Sequence, residues 1–281
     1  MNSQVFLRRL GILVVKLLPL KLADDIATML GILLYNLLRK TRSYIETNLQ
    51  HVFHEDSPDP EQFNRYVKNT FVNYARAMTD FLRLSYITID GFNVADSGCD
   101  RIGEALKLKK GCVLLSLHIG NWDYAGAYLA ARGVPITALV EEIDPAMLSL
   151  YTKHRERTGM RTFPVSKAAY AFINAIKHNR ALAILADRDI VGNGVPVRFF
   201  SGKRKIPRGL GEIIIKKKMP VLLSYMIFDT SKMWRYRCVI EPPVFFSGGV
   251  EEFNTYMVKQ LEEIIKLYPD QWMVFHPEWI A

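Results

Sequence analysis

The chain has 281 residues, 49% hydrophobic and 23% charged, and carries a formal net charge of +9. That apolar content excludes a disordered chain and suffices for one extended domain, or a domain with an appendage. A mean hydropathy of +0.04 with a pI near 9.4 suits a protein that lies on an anionic membrane surface or meets an anionic partner. No zinc spacing, RNA-recognition motif or recognition helix points to nucleic acid as that partner.

Residues 1–40 are the most apolar part of the chain, but Arg8, Arg9, Lys16, Lys21, Asp24 and Asp25 interrupt them. The cleanest uncharged run, Ile26 to Leu38, is shorter than the roughly 18–20 residues that cross a bilayer. No small-residue cleavage site follows the first apolar stretch, which argues against a removable signal. At helical spacing Phe6, Leu10, Leu13 and Leu17 share one face, and Arg9 and Lys16 sit opposite. We read 1–40 as a helical membrane-association segment ahead of a domain over 41–281. The same periodicity also describes a helix packed on its own domain.

After a basic stretch at Arg39–Tyr44 comes an acidic, proline-bearing loop, Phe53-His-Glu-Asp-Ser-Pro-Asp-Pro60. A long helix is predicted over Glu61–Leu84, with Phe63, Val67, Phe71, Tyr74, Met78 and Phe81 on its buried side, as core or as the wall of a lipid groove. Alternation follows: a helix near 99–107, strand 112–117, helix 121–132, strand 135–140 and helix 145–158. Strand 161–165, helix 167–178, strand 181–186, a long loop at 187–206 and helix 207–218 come next. Strand 220–228, a β-rich segment at 234–240 and helix 250–267 close the series. Apolar strands alternating with helices predict an α/β fold, with a largely parallel or mixed central sheet flanked by helices on both faces.

The stretch Cys112-Val-Leu-Leu-Ser-Leu-His118-Ile-Gly-Asn-Trp-Asp123 joins a buried strand to a helix. Asn121 is the expected N-cap, and Asp123 then lies in the first turn. A histidine and an acid thus arrive at the carboxyl edge of the sheet, where α/β folds bind ligands. The same five-residue spacing recurs in His51/Asp56 and His54/Asp59, but those pairs sit in loop composition that would hold neither side chain rigidly. Locally, His118 reads equally as a hydrogen-bonded strand-end histidine or as a general base.

Three further segments fall at the same edge: Glu141-Glu-Ile-Asp-Pro145 leading to Arg155 and Arg157, Asp187-Arg-Asp189, and Gly192 to Gly209 with its basic residues. The blocks His118-Ile-Gly-Asn-Trp-Asp123, Asp144-Pro145…Arg157, Asp187-Arg-Asp189 with Val195-Pro-Val-Arg-Phe-Phe200, and Tyr268-Pro-Asp-Gln-Trp-Met-Val-Phe-His276 occur in that order. Together they resemble the lysophospholipid acyltransferase superfamily, in its branch of bacterial late lipid A and phosphatidylinositol mannoside acyltransferases. The chain departs from that pattern at Asp144 (usually Asn), at Ser201 before Gly202, at Ile206 (usually Thr), and in Pro277-Glu-Trp279, where basic residues commonly follow the histidine.

The resemblance implies transfer of a fatty acyl chain from acyl carrier protein or acyl-coenzyme A to a hydroxyl of a glycolipid or lipid A-type acceptor, at the cytoplasmic face of the cell inner membrane. His118 would be the base and Asp123 would hold one ring nitrogen's proton. Glu141, Arg157, Asp187, Arg188, Gly194, Arg204 and Arg208 are the candidate substrate-binding residues. Among them, backbone amides near Gly194 or Arg157 are candidate oxyanion donors, and Asp187 would bind an acceptor hydroxyl or fix an arginine. Lys216–Lys218 read as a solvated face, whereas Arg204 and Arg208 lie beside a motif loop. No cofactor is required, and the dispersed histidines lack metal-ligand spacing. A hydrolase on the same scaffold and a non-catalytic lipid-binding protein are the alternatives. The scattered Cys99, Cys112 and Cys238 fit reduced thiols in a cytosolic setting.

Overall fold

Apolar runs too short for helices become strands that bury both faces, and the segments between them cover those faces. The computed structural model describes residues 18–280, apart from 55, 85–86, 88, 143–144 and 232. The Phe6–Leu17 stripe and Asp144 therefore lie outside the described residues. Helices α1 (Leu20–Leu37), α2 (Arg39–Val52) and α3 (Pro60–Arg83) lead into β1 (Val94–Ser97), α4 (Asp100–Leu106), β2 (Cys112–Ser116) and α5 (Trp122–Ala131). Then come β3 (Ile136–Val140), α6 (Pro145–Arg157), β4 (Arg161–Pro164), α7 (Ala168–Lys177) and β5 (Ala181–Leu185). The chain continues through β6 (Val195–Phe199), β7 (Gly202–Ile206), α8 (Leu210–Lys217), β8 (Val221–Phe228), β9 (Tyr236–Ile240), α9 (Val250–Leu267) and β10 (Trp279–Ile280).

Seven strands form one sheet in the order β1-β9-β8-β2-β5-β3-β4. All its pairings are parallel except β8 with β9. Successive residues of β2 point to opposite clusters. Val113, Leu115 and Leu117 pack with Phe172 of α7, Leu210 and Ile214 of α8 and Phe253 of α9. Cys112 and Leu114 pack with Phe81 of α3, Ile102 of α4 and Leu129 of α5. The predicted α/β class, with helices on both faces, is the observed one.

Three elements depart from the sequence reading. Residues 39–52 are helical, so His51 stands on α2 rather than in a loop, with its Nδ1 hydrogen-bonded to Ser201 Oγ at 2.8 Å. β1 is an edge strand too short and polar to announce itself. The expected loop at 187–206 contains the hairpin β6–β7, which turns at Phe200-Ser201 and is extended by β10 into a separate three-stranded antiparallel sheet. Its charged residues and Pro196 hid the strand pattern.

Helix α1 buries small residues, Ala23, Ala27 and Gly31, and packs them on α3. A Cβ on Gly31 would stand 2.5 Å from Val72 Cα, so the close approach needs glycine. Its other residues, Leu22, Ile26, Met29, Leu30, Leu33 and Leu37, are exposed, Met29 by 71%. Among the described residues no helix is long and apolar enough to cross a membrane.

A chain of charges fixes this N-terminal layer to the sheet. Arg235 donates from Nε to Asp80 Oδ2 of α3 at 2.6 Å and from Nη2 to Asp24 Oδ1 of α1 at 2.8 Å. Arg76 Nε donates to the same Asp24 oxygen at 2.9 Å. The buried Asp80 also accepts from Tyr236 Oη at 2.5 Å. Removing one member of a buried pair leaves an uncompensated charge. Arg235→Met should therefore cost about 3–5 kcal/mol in urea denaturation. Asp80→Asn/Arg235→Met should regain most of that loss, because neither charge is then left unpaired.

Candidate active site

The register of β2 on β5 pairs Ser116 with Leu185, so the residues two positions beyond each strand end, His118 and Asp187, emerge side by side. His118 Nδ1 lies 2.8 Å from Asp187 Oδ1, and the His118 backbone N–H donates to the same oxygen at 3.2 Å. Trp272 Nε1 donates to the other carboxylate oxygen at 2.9 Å. Burial pushes the Asp187 carboxyl up, but the His118 charge, the hydrogen bonds from His118 and Trp272, and the Arg204 charge outweigh it and bring it down to about 2. An ionised carboxylate only accepts, so Nδ1 carries a proton, and it is Nε2 that holds the lone pair of a base when the ring is neutral.

The loop bearing His118 is pinned on its far side as well. His118 O accepts from Met273 N at 2.7 Å, and Gly120 N donates to Gln271 O at 2.9 Å. Gly120 has φ +56°, and a Cβ there would stand 1.9 Å from Met226 O. Asn121 caps α5 as the sequence predicts, accepting from Tyr124 N at 3.0 Å while its amide donates to Ala77 O and Tyr236 Oη.

Asp123 does not hold the imidazole. It accepts from Arg155 Nε at 2.6 Å and Nη2 at 3.2 Å in a forked ion pair. Burial would lower the Arg155 guanidinium, but the Asp123 charge reverses this and raises it. The role expected of Asp123 thus falls to Asp187, because the neighbouring strand, rather than the next helical turn, faces Nδ1. Asp187 fixes His118 rather than an arginine. Neither expectation contained this pairing, since strand order is not written in the sequence.

His118, Asp123 and Arg155 line a cavity of about 630 Å³. Its interior is apolar, with Phe81, Leu114, Leu129, Ile136 and Met160 in the wall. Tyr74 and Met78 of the α3 stripe also line this space while packing against the core beside it. Its rim carries Glu141, Arg188, Arg208 and His276. Burial lowers Arg188, but Glu278, Glu141 and Asp187 together raise it.

Other candidates fall elsewhere. Arg157 is exposed at the end of α6, and Arg155, two residues earlier, takes the cavity wall. Gly194 N–H is spent on Asp189 Oδ2 at 2.7 Å, so it is not a free oxyanion donor. Arg204 is 1% exposed and enclosed by aromatic rings, so it presents no surface charge. Lys216–Lys218 are exposed, as a solvated face requires.

Residues 2–280 match the family described as bacterial lipid A biosynthesis acyltransferase. A phosphatidylinositol mannoside acyltransferase of Mycobacterium tuberculosis (strain H37Rv) is 26% identical over 190 residues, covering 66% of this chain and 59% of that protein. One from Mycolicibacterium smegmatis is 26% identical over 224 residues, covering 76% and 72% respectively. A lipid A biosynthesis acyltransferase of Haemophilus influenzae is 21% identical over 266 residues, covering 93% and 83%. Matched this way, the chain spans 59% of the length of the Mycobacterium tuberculosis relatives.

The geometry separates the two acids. Asp187→Asn leaves the shape intact but turns the imidazole to the wrong tautomer, and should lower by about 10³–10⁴-fold the kcat of a reaction in which His118 is the base. Asp123→Asn leaves the buried Arg155 charge without its partner and should also lower stability by about 1–3 kcal/mol. Steady-state rates alongside thermal melts of the two variants check this.

Proposed function

Because the chain belongs to the bacterial lipid A biosynthesis acyltransferase family, we propose that it moves a fatty acyl chain from an acyl thioester, on acyl carrier protein or coenzyme A, to a hydroxyl of a glycolipid or lipid A-type acceptor. The observation that carries this reading is the His118–Asp187 pair, whose imidazole lines a largely apolar cavity. His118 Nε2 takes the proton of the acceptor hydroxyl as its oxygen attacks the thioester carbonyl. The tetrahedral intermediate then expels the thiolate, which receives that proton from the imidazolium. Asp187 stays ionised throughout, orients the ring and offsets its transient charge. The substrate itself supplies the nucleophile, so no serine or cysteine nucleophile is needed, and the chain has no Gly-x-Ser-x-Gly elbow.

Phe81, Leu114, Leu129, Ile136 and Met160 supply the apolar wall for the acyl chain. Glu141, Arg188 and Arg208 supply polar contacts at the rim for the headgroup or the donor's phosphate. Asp123 holds Arg155 in the wall. We assign residues 1–40 to membrane association and 41–281 to the acyltransferase domain. The exposed leucine- and methionine-bearing side of α1, on a chain of net charge +9, suits peripheral docking on an anionic bilayer at the cytoplasmic face.

Two experiments test this. Thioester consumption should depend on acceptor lipid and yield acylated lipid; consumption indifferent to the acceptor identifies a hydrolase, and none at all a lipid-binding protein. His118→Ala should abolish transfer with circular dichroism unchanged. For docking, Met29→Glu/Leu33→Glu/Leu37→Glu should cut pelleting with anionic vesicles by about tenfold or more, because each change removes exposed apolar contact and adds repulsion. Unchanged pelleting would move the contact elsewhere.

A further inference from the structure

We propose that Glu278 is a positioning residue for the base: it neutralises the buried Arg204, so that Asp187 remains with His118, and it holds Arg188 at the cavity rim. The inference rests on the reading of His118 as the base.

Arg204 of β7 is 1% exposed, and its guanidinium lies 5.4, 5.0 and 5.1 Å from the ring centres of Phe199, Trp272 and Trp279. Its Nη2 donates to Glu278 Oε2 at 3.0 Å. Its Nε and Nη1 have no hydrogen-bond partner among the described residues. Burial lowers the Arg204 guanidinium even though Asp187 and Glu278 oppose that shift. A buried cation with two idle donors seeks an acceptor. The indole of Trp272, whose ring centre lies 5.0 Å from this guanidinium, donates to Asp187, so that carboxylate stands at the same ring and its charge acts on Arg204. Both oxygens of Asp187 are already engaged by His118 and Trp272. With Glu278 neutralised, Arg204 competes for that carboxylate and weakens its hold on Nδ1.

The second oxygen of Glu278 accepts from Arg188 Nε, and Glu141 flanks Arg188 at 3.6 Å. Two carboxylates thus fix a cation that lines the cavity beside Asp187. The segment carrying Glu278 is itself fixed. Trp279 pairs with Arg204 in β10–β7, donates from Nε1 to Asn48 Oδ1 at 2.7 Å, and stacks on His51 with ring centres 3.8 Å apart. This gives Pro277-Glu-Trp279 a purpose at the place where the resemblance leads one to expect basic residues. A cation at position 278 would repel both arginines.

The charged groups facing Asp187 are His118 from the end of β2, Arg204 from β7 and the adjacent Arg188. Those facing Glu278 are Arg188 and Arg204, with Glu141 beyond Arg188 and Arg204 also acting on His51. The test is a mutant cycle on the full chain, with kcat, KM and the pH profile of kcat/KM measured on an acyl thioester and an acceptor lipid. Glu278→Gln should lower kcat by about tenfold or more and move the acid limb of the profile to lower pH, since Asp187 then stabilises the imidazolium less. Glu278→Gln/Arg204→Met should recover most of kcat and return the limb towards its original position, because no buried cation competes. Should Glu278→Gln fold poorly, the double variant, with an apolar side chain in the aromatic cage, carries the same reading through its limb position. An unaltered profile in Glu278→Gln, or a loss that Arg204→Met does not relieve, would overturn the proposal. His118→Ala serves as the reference. If it is inactive while Glu278→Gln behaves as the parent, only this inference fails; if it is active, the assignment of the base fails first.

Discussion

Asp187 is wholly enclosed, and an enclosed carboxylate persists as an anion only if donors converge on it, since stripping its water costs several kcal/mol. Three do: the ring and backbone N–H groups of His118 and the indole of Trp272. Each belongs to a different requirement of the fold. The ring arrives because β2 and β5 are parallel neighbours in register, and the indole because the segment after α9 folds back across the strand ends. Trp272 also bridges through the backbone to Ile119, beside His118. One charge therefore draws on the order of two strands and the course of the closing segment, and in turn sets the tautomer of the imidazole.

A second set of buried charges does for the N-terminal layer what Asp187 does for the site. Asp24, Arg76, Asp80 and Arg235 hold α1 and α3 against the end of the sheet. The two sets meet at Asn121, whose side chain caps α5 on one side and contacts Ala77 O and Tyr236 Oη on the other. The helix with the exposed apolar side and the loop carrying His118 thus share one continuous line of hydrogen bonds. This line adds directional contacts to the close packing of α1 on α3 in setting α1 relative to the loop that carries His118.

Much of the fold was legible because its signals are local. Asn121 reads as a cap, the apolar stripe from Phe63 to Phe81 marks the long helix, and β2, β3, β5 and β8 are apolar enough to require burial on both faces. The hairpin β6–β7 was not legible, since Arg198, Lys203 and Lys205 disguise strands whose partners are one another and β10 rather than the main sheet. His118 stood out because a strand ends on it. Its partner was misread for a definite reason: Asp123 is near in sequence, whereas Asp187 is near in space, and the register Ser116 to Leu185 that unites them is a property of the assembled sheet. Arg204 was read as a substrate-binding cation beside the motif loop, but nothing in a lysine- and arginine-rich run tells which member turns inward among three aromatic rings.

The segment from Gln271 to Trp279 follows every strand of the main sheet in chain order, yet it supplies the indole on Asp187, the backbone donor to His118 and the carboxylate between Arg188 and Arg204. A nascent chain that has emerged as far as β9 already has the strands that place His118 beside Asp187, but not the contacts that make the carboxylate a secure anion. Parallel strands joined over long separations also pair slowly. The ionised Asp187 is thus secured only once this segment, which follows all seven strands of the main sheet, has folded back across the strand ends.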